Sequence, residues 1–119
     1  LQEARDFARQ AIQLDSDWGQ PYIQIASVYA QAVNQCTSGR KMEREDKVVY
    51  WLVLDYLDKA ESVDSSVSNA VQRQYQSYEP VTPTTEEKFF SGWETGQEMK
   101  VDASLNQCYS WINETTKVR

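Results

Sequence analysis

Apolar positions recur at helical spacing through most of the chain. Over residues 1–14, Ala4, Phe7, Ala8, Ala11 and Ile12 are assigned to one face, with Arg5, Asp6, Arg9 and Gln10 turned to water. Asp15, Ser16, Asp17 and Gly19 interrupt the pattern. Pro21 then fits the first turn of a second helix over 19–34, where its missing N–H would have had no intrahelical partner. Tyr22, Ile25, Ala26 and Tyr29 form one stripe of that helix, and the small Ala26 lets a neighbour approach closely. The stretch from Ala11 to Tyr29 therefore encodes two antiparallel helices and the turn between them, and it organises the rest of the chain. Thr37-Ser38-Gly39 signals a turn. Residues 35–46 read as an enlarged loop, and its mixed charges (Arg40, Lys41, Glu43, Arg44, Glu45, Asp46) suit a solvated connection.

A third helix is expected over 47–63. Val48, Val49, Trp51, Leu52, Val53, Leu54, Tyr56 and Leu57 come almost without break, the mark of a central element. A buried strand over 48–54 is the alternative, but the run continues at helical spacing through Ala60 and Val63. Ser65 or Ser66 caps a fourth helix to about Tyr78, with a thin stripe of Val67, Val71, Tyr75 and Tyr78. Pro80 and Pro83 break the chain. Thr84 or Thr85 caps a short fifth helix that Phe89, Phe90 and Trp93 would pack onto the bundle, with Gly92 and Gly96 ending it. Beyond Gly96 the period shifts, and strands are expected over 97–102 and 108–118. An isolated hairpin is marginal in water, so this one must lie on the helices or be held by Cys108. The predicted fold is mostly α: an antiparallel helix-turn-helix bundle over 1–79, with a helix and small β-hairpin over 80–119.

The spacing of Tyr22, Ile25-Ala26 and Tyr29 resembles the first helix of a tetratricopeptide repeat. Ala4, Ala8, Ala11, Leu14 and Asp15 match the family's second helix, with Ser16 where Pro is usual. The same ending returns as Ala60, Val63, Asp64, Ser65. Ala11 and Ala60 are 49 residues apart, against a family period of about 34, and the excess falls between Tyr29 and Val53. The resemblance implies a peptide groove at Gln20, Ile23, Ser27 and Ala30 on the second helix. It lacks the Lys and Arg of a carboxylate clamp. It also implies that residues 1–14 are the second helix of a pair whose first helix lies upstream. The ending from Trp111 to Arg119, Trp-Ile-Asn-Glu-Thr-Thr-Lys-Val-Arg, with Phe89-Phe90 and Gly92 before it, resembles the tails of bacterial envelope or secreted repeat proteins of unassigned function, over residues 84–119.

Composition narrows the function classes. The 119-residue chain has a net charge of −6 and a pI near 4.6, which disfavours nucleic acid and anionic membranes. No apolar run approaches the ~20 residues of a membrane-spanning helix. With no histidine, a His-assisted nucleophile and a His-ligated zinc site are excluded within the chain. No glycine-rich phosphate loop is present. Asp55, Asp58, Glu61 and Asp64, and the adjacent Glu86 and Glu87, read as solvated helix positions. Asn113-Glu114-Thr115 matches a glycosylation acceptor and reads as strand. Cys36 and Cys108, too far apart for a CxxC motif, are expected to pair in an oxidising compartment and close a loop of roughly 70 residues. Tyr109 and Trp111 would share an exposed strand face, a possible aromatic platform for sugars. The expectation is a non-catalytic protein-interaction or scaffold module of a bacterial envelope or secreted protein. It needs no cofactor or metal and has a protein or peptide partner. The alternative is a carbohydrate- or cell-wall-binding module using the hairpin aromatics.

Overall fold

Two long helices carry the core, and the rest of the chain wraps around them. The computed structural model describes all 119 residues. Helix α1 spans Gln2–Leu14, α2 Gln20–Cys36 and α3 Arg44–Val63. A 3-10 turn over Ser65–Val67 leads into α4, Ser68–Tyr78, and another over Glu79–Val81 precedes α5, Thr85–Ser91. Strands β1, Glu98–Val101, and β2, Glu114–Lys117, close the chain with a 3-10 turn, Gln107–Tyr109, between them. The protein is thus mostly α, with a small antiparallel hairpin at its C-terminal end.

Helices α2 and α3 are apolar on most sides because they are covered on most sides. Ile25, Ala26, Val28, Tyr29 and Val33 of α2 meet Val49, Trp51, Leu52, Val53 and Leu57 of α3 in one continuous core. Ala26 is fully buried, as its place in a stripe of large residues requires. The strand alternative over 48–54 is not taken, since those residues lie mid-helix. Helix α1 covers one flank of α2, and α4 covers one flank of α3.

Helix α3 begins earlier than its apolar run. Glu43 and Asp46 form a capping box, each side chain bonding the other's backbone N–H. Asp46 therefore does not belong to a solvated loop; it is 1% exposed. At the other end Asp64, not Ser65 or Ser66, caps the following turn, its carboxylate accepting from Ser66 N–H. Thr84 caps α5 as expected, in a second capping box with Glu87, and Gly92 ends it at φ 72°. Phe89 and Phe90 do not pack onto the bundle; they are 79% and 69% exposed. Only Trp93 reaches the core, edge-on to Trp51.

The hairpin is shorter than expected. Glu98 pairs with Lys117 and Val101 with Glu114, so residues 108–113 lie outside the ladder, in a 3-10 turn and the hydrogen-bonded turn that follows it. Asn113 enters β2 at φ 51°, a left-handed conformation that Asn tolerates better than most residues.

Three polar anchors and one disulfide fix this tail to the helices. Asp46 accepts two hydrogen bonds from Arg40 at 2.7 Å and one from the Tyr109 hydroxyl at 2.6 Å. Glu114 accepts from Tyr29, from Tyr56 at 2.6 Å and from Arg9 at 3.4 Å. Arg119 donates to Asp55 at 2.6 Å, Asp58 at 2.9 Å and the Tyr75 hydroxyl at 2.8 Å. Cys36 and Cys108 are disulfide-bonded, joining the end of α2 to the 3-10 turn before β2.

Candidate functional site

The site residues expected on α2 do not form an open groove. Ile23 and Ala30 are buried, Ser27 is half-buried and only Gln20 is exposed. The physical reason is the coverage of α2 on nearly all sides. α1 and α3 flank it, and the 3-10 turn at Gln107–Tyr109 lies against it as well. The aromatic platform fails for a related reason. Tyr109 is fully buried because the chain leaves strand geometry there, and its hydroxyl reaches inward to Asp46. Trp111 lies against Tyr29, and the Arg5 guanidinium sits 5.0 Å from its ring centroid. Its remaining surface lines an open depression of about 450 Å³ with Leu1, Ala32 and the disulfide.

The charged groups have structural employment. Arg5, expected in water, is buried and donates to the Ile112 carbonyl at 2.9 Å and the Tyr29 hydroxyl at 3.3 Å. Burial, then Glu114, raises the Tyr29 and Tyr56 hydroxyls above their ordinary value, so both remain protonated donors. Burial also pushes the Asp46 carboxyl up, but the hydrogen bonds from Arg40, Tyr109 and the Glu43 N–H outweigh it, leaving the group below its ordinary value. The acids on α3 stand at the surface, as expected, but they have partners. Asp55 and Asp58 hold Arg119, and Asp64 accepts from the Gly19 N–H at 2.9 Å as well as from Ser66. No three His, Cys, Asp or Glu side chains are grouped as a metal site.

What remains open is one side of α1. The helix has two apolar faces, not the single one read from spacing. Leu1, Arg5, Ala8 and Ile12 lie at steps of four, three and four, and this face turns inward. Phe7, Ala11 and Leu14 lie on the other. Phe7 is 69% exposed and Leu14 is 89% exposed. Trp18, in the turn to α2, extends this face and is 49% exposed. It borders a shallow apolar cleft with Ala8, Ala11 and Pro21. Phe7, Leu14 and Trp18 thus leave three large apolar side chains exposed along one flank of α1 and its turn. Arg5 was legible as an inward residue, since it sits between Leu1 and Ala8 in the inner stripe.

No family model, no curated protein and no solved structure matches this chain.

Proposed function

We propose that this chain is a non-catalytic interaction or scaffold module of the tetratricopeptide type, belonging to a bacterial envelope or secreted protein. The observation that carries the reading is the outer face of α1 and its turn, where Phe7, Leu14 and Trp18 stand exposed. Burying a large apolar side chain is worth about 1.5–3 kcal/mol, so this face rewards a partner that covers it. The carboxylates support the same reading, because those brought together at the tail are committed to holding it down. The disulfide is compatible with a compartment outside the cytoplasm, and no helix is long and apolar enough to cross a membrane.

The test is site-specific photo-cross-linking in the native cell, with the cross-linker at position 14 and at the exposed Ser77 of α4 as control. The expected result is an adduct from position 14 that maps to a protein segment and disappears with Phe7→Glu. Adducts no more abundant than those at position 77 would sink the reading. The compartment is tested separately by counting free thiols in denaturant on native protein. None before reduction is expected; two would return the chain to the cytosol.

A further inference from the structure

The chain contains a picture of what covers α1. Residues 2–18 of α1 and its turn correspond, 49 positions on, to residues 51–67 of α3 and its turn, with Asp6, Ala11, Asp15 and Ser16 matched by Asp55, Ala60, Asp64 and Ser65. The repetition extends to individual hydrogen bonds. Asp15 N–H donates to the Ala11 carbonyl at 2.9 Å, and Asp64 N–H to the Ala60 carbonyl at 3.1 Å. Trp18 N–H reaches Asp15 O and Val67 N–H reaches Asp64 O, both at 3.3 Å. Asp15 Oδ1 accepts from Asp17 N–H at 3.1 Å, and Asp64 Oδ1 from Ser66 N–H at 3.0 Å. Both aspartates have nearly the same backbone, φ −152° and ψ 92° against φ −150° and ψ 97°.

The difference between the two copies lies in what they receive. On α3 this face takes the start of α2. Asp64 Oδ2 accepts the Gly19 N–H at 2.9 Å, and Gly19 lies so close that a Cβ there would come within 2.9 Å of Asp64 Cβ and 2.7 Å of Val67 Cγ2. Further along, Tyr56 meets Tyr29 of α2 edge-on at 5.7 Å. The counterparts of Tyr56, Val63 and Val67 are Phe7, Leu14 and Trp18, the three exposed residues of the α1 face. The counterpart of Asp64 Oδ2 is Asp15 Oδ2, which has no partner within the chain.

We infer that the outer face of α1 receives a helix of α2's kind, the first helix of a preceding repeat unit. That helix begins with glycine or another small residue, whose N–H Asp15 caps. Its apolar stripe then runs over Trp18, Leu14 and Phe7 toward the start of α1. This deepens the interaction reading above and rests on it, but it names the partner and its register.

The experiment extends the full chain. A copy of residues 17–49, with Ser in place of the copied Cys36, is fused directly before Leu1. Because Leu1 corresponds to Tyr50, the copied α2 meets α1 in the register in which α2 meets α3. Hydroxyl-radical footprinting then reads Phe7, Leu14 and Trp18, with Phe89 and Phe90 as controls. The expected result is a several-fold fall in labelling at the first three and none at the controls. Asp15→Ala should lower the unfolding midpoint of the extended chain more than that of the parent, where Asp15 supports only its own turn. Unchanged labelling, or equal effects of Asp15→Ala in both chains, overturns the inference. So does an added segment that stays unfolded by circular dichroism, since the face of α1 is claimed to suffice. Dimerisation of the parent that protects the same three residues would assign the face to a second copy instead. Cross-linking at position 14 is read independently: adducts to an unrelated segment would preserve the interaction reading while ending this one.

Discussion

Glu114 shows how much one side chain holds. Its carboxylate gathers the hydroxyls of Tyr29 and Tyr56 and the guanidinium of Arg9, drawn from α2, α3 and α1. Glu114→Ala leaves the hydroxyl protons of Tyr29 and Tyr56 without their acceptor, though Tyr29 still receives Arg5, and a loss of about 1–3 kcal/mol is expected in urea denaturation. Asp46 has the same standing at the other end of the tail. Its lowered pKa sets the sign of its pH dependence. The stability it contributes is full above about pH 4, the ordinary carboxylate range, and is lost as pH falls through the folded value. Asp46→Asn should therefore be less stable at neutral pH and show a flatter loss below about pH 4, read by the unfolding midpoint in an acid series. Gly19 is a residue chosen for absence. Its Cβ would collide with Val67 and Asp64, so Gly19→Ala should cost about 1–3 kcal/mol by overpacking.

At the scale of elements, Ala26 is the clearest case of sequence and structure agreeing. It is fully buried between helices, and Ala26→Leu should destabilise by about 1–3 kcal/mol in thermal or urea unfolding. The helices were legible because their apolar periods are long and their breaks are chemically plain, as at Asp15 to Gly19 and at Pro80 and Pro83. The two faces of α1 are hard to separate by spacing because Ala4 lies between them and Ala11 stands at the near edge of the outer one. Residues 108–113 read as strand from their aromatic and β-branched content, but propensity gives way to the buried bond between Tyr109 and Asp46. Charge misled for a similar reason. Asp46 and Arg119 look solvated one at a time, and only tertiary pairing across 60 residues or more makes them interior or anchoring groups. The α1 face was visible as an expectation of a missing helix; its duplication in α3, down to single hydrogen bonds, was not.

Across the whole molecule, the tail is held by redundant means. The disulfide closes a loop of roughly 70 residues, for which the chain-entropy account gives about 4 kcal/mol at most. The anchors at Asp46, Glu114 and Arg119 do not depend on it. Reduced protein should thus be less stable by up to that amount, yet amide exchange in β1 and β2 should stay protected under native conditions. Rapid exchange throughout the hairpin after reduction would mean that the covalent bond, not the polar anchors, positions the tail.

The bond from Arg5 to the Ile112 carbonyl spans 107 positions and joins the first helix to the last strand's approach. It has a consequence for how the protein is made. Chains are synthesised from the N-terminus, and contacts between distant positions close last. α1, α2 and α3 can pair while the chain is still growing, and Arg5 can already reach the Tyr29 hydroxyl, but the hydroxyl protons of Tyr29 and Tyr56 find their carboxylate only when Glu114 arrives. During that interval the nascent bundle has a wet, half-finished flank, and Cys36 remains a free thiol. Until the stretch around Ile112 and Glu114 has been made, the helices must hold one another mainly through their apolar core.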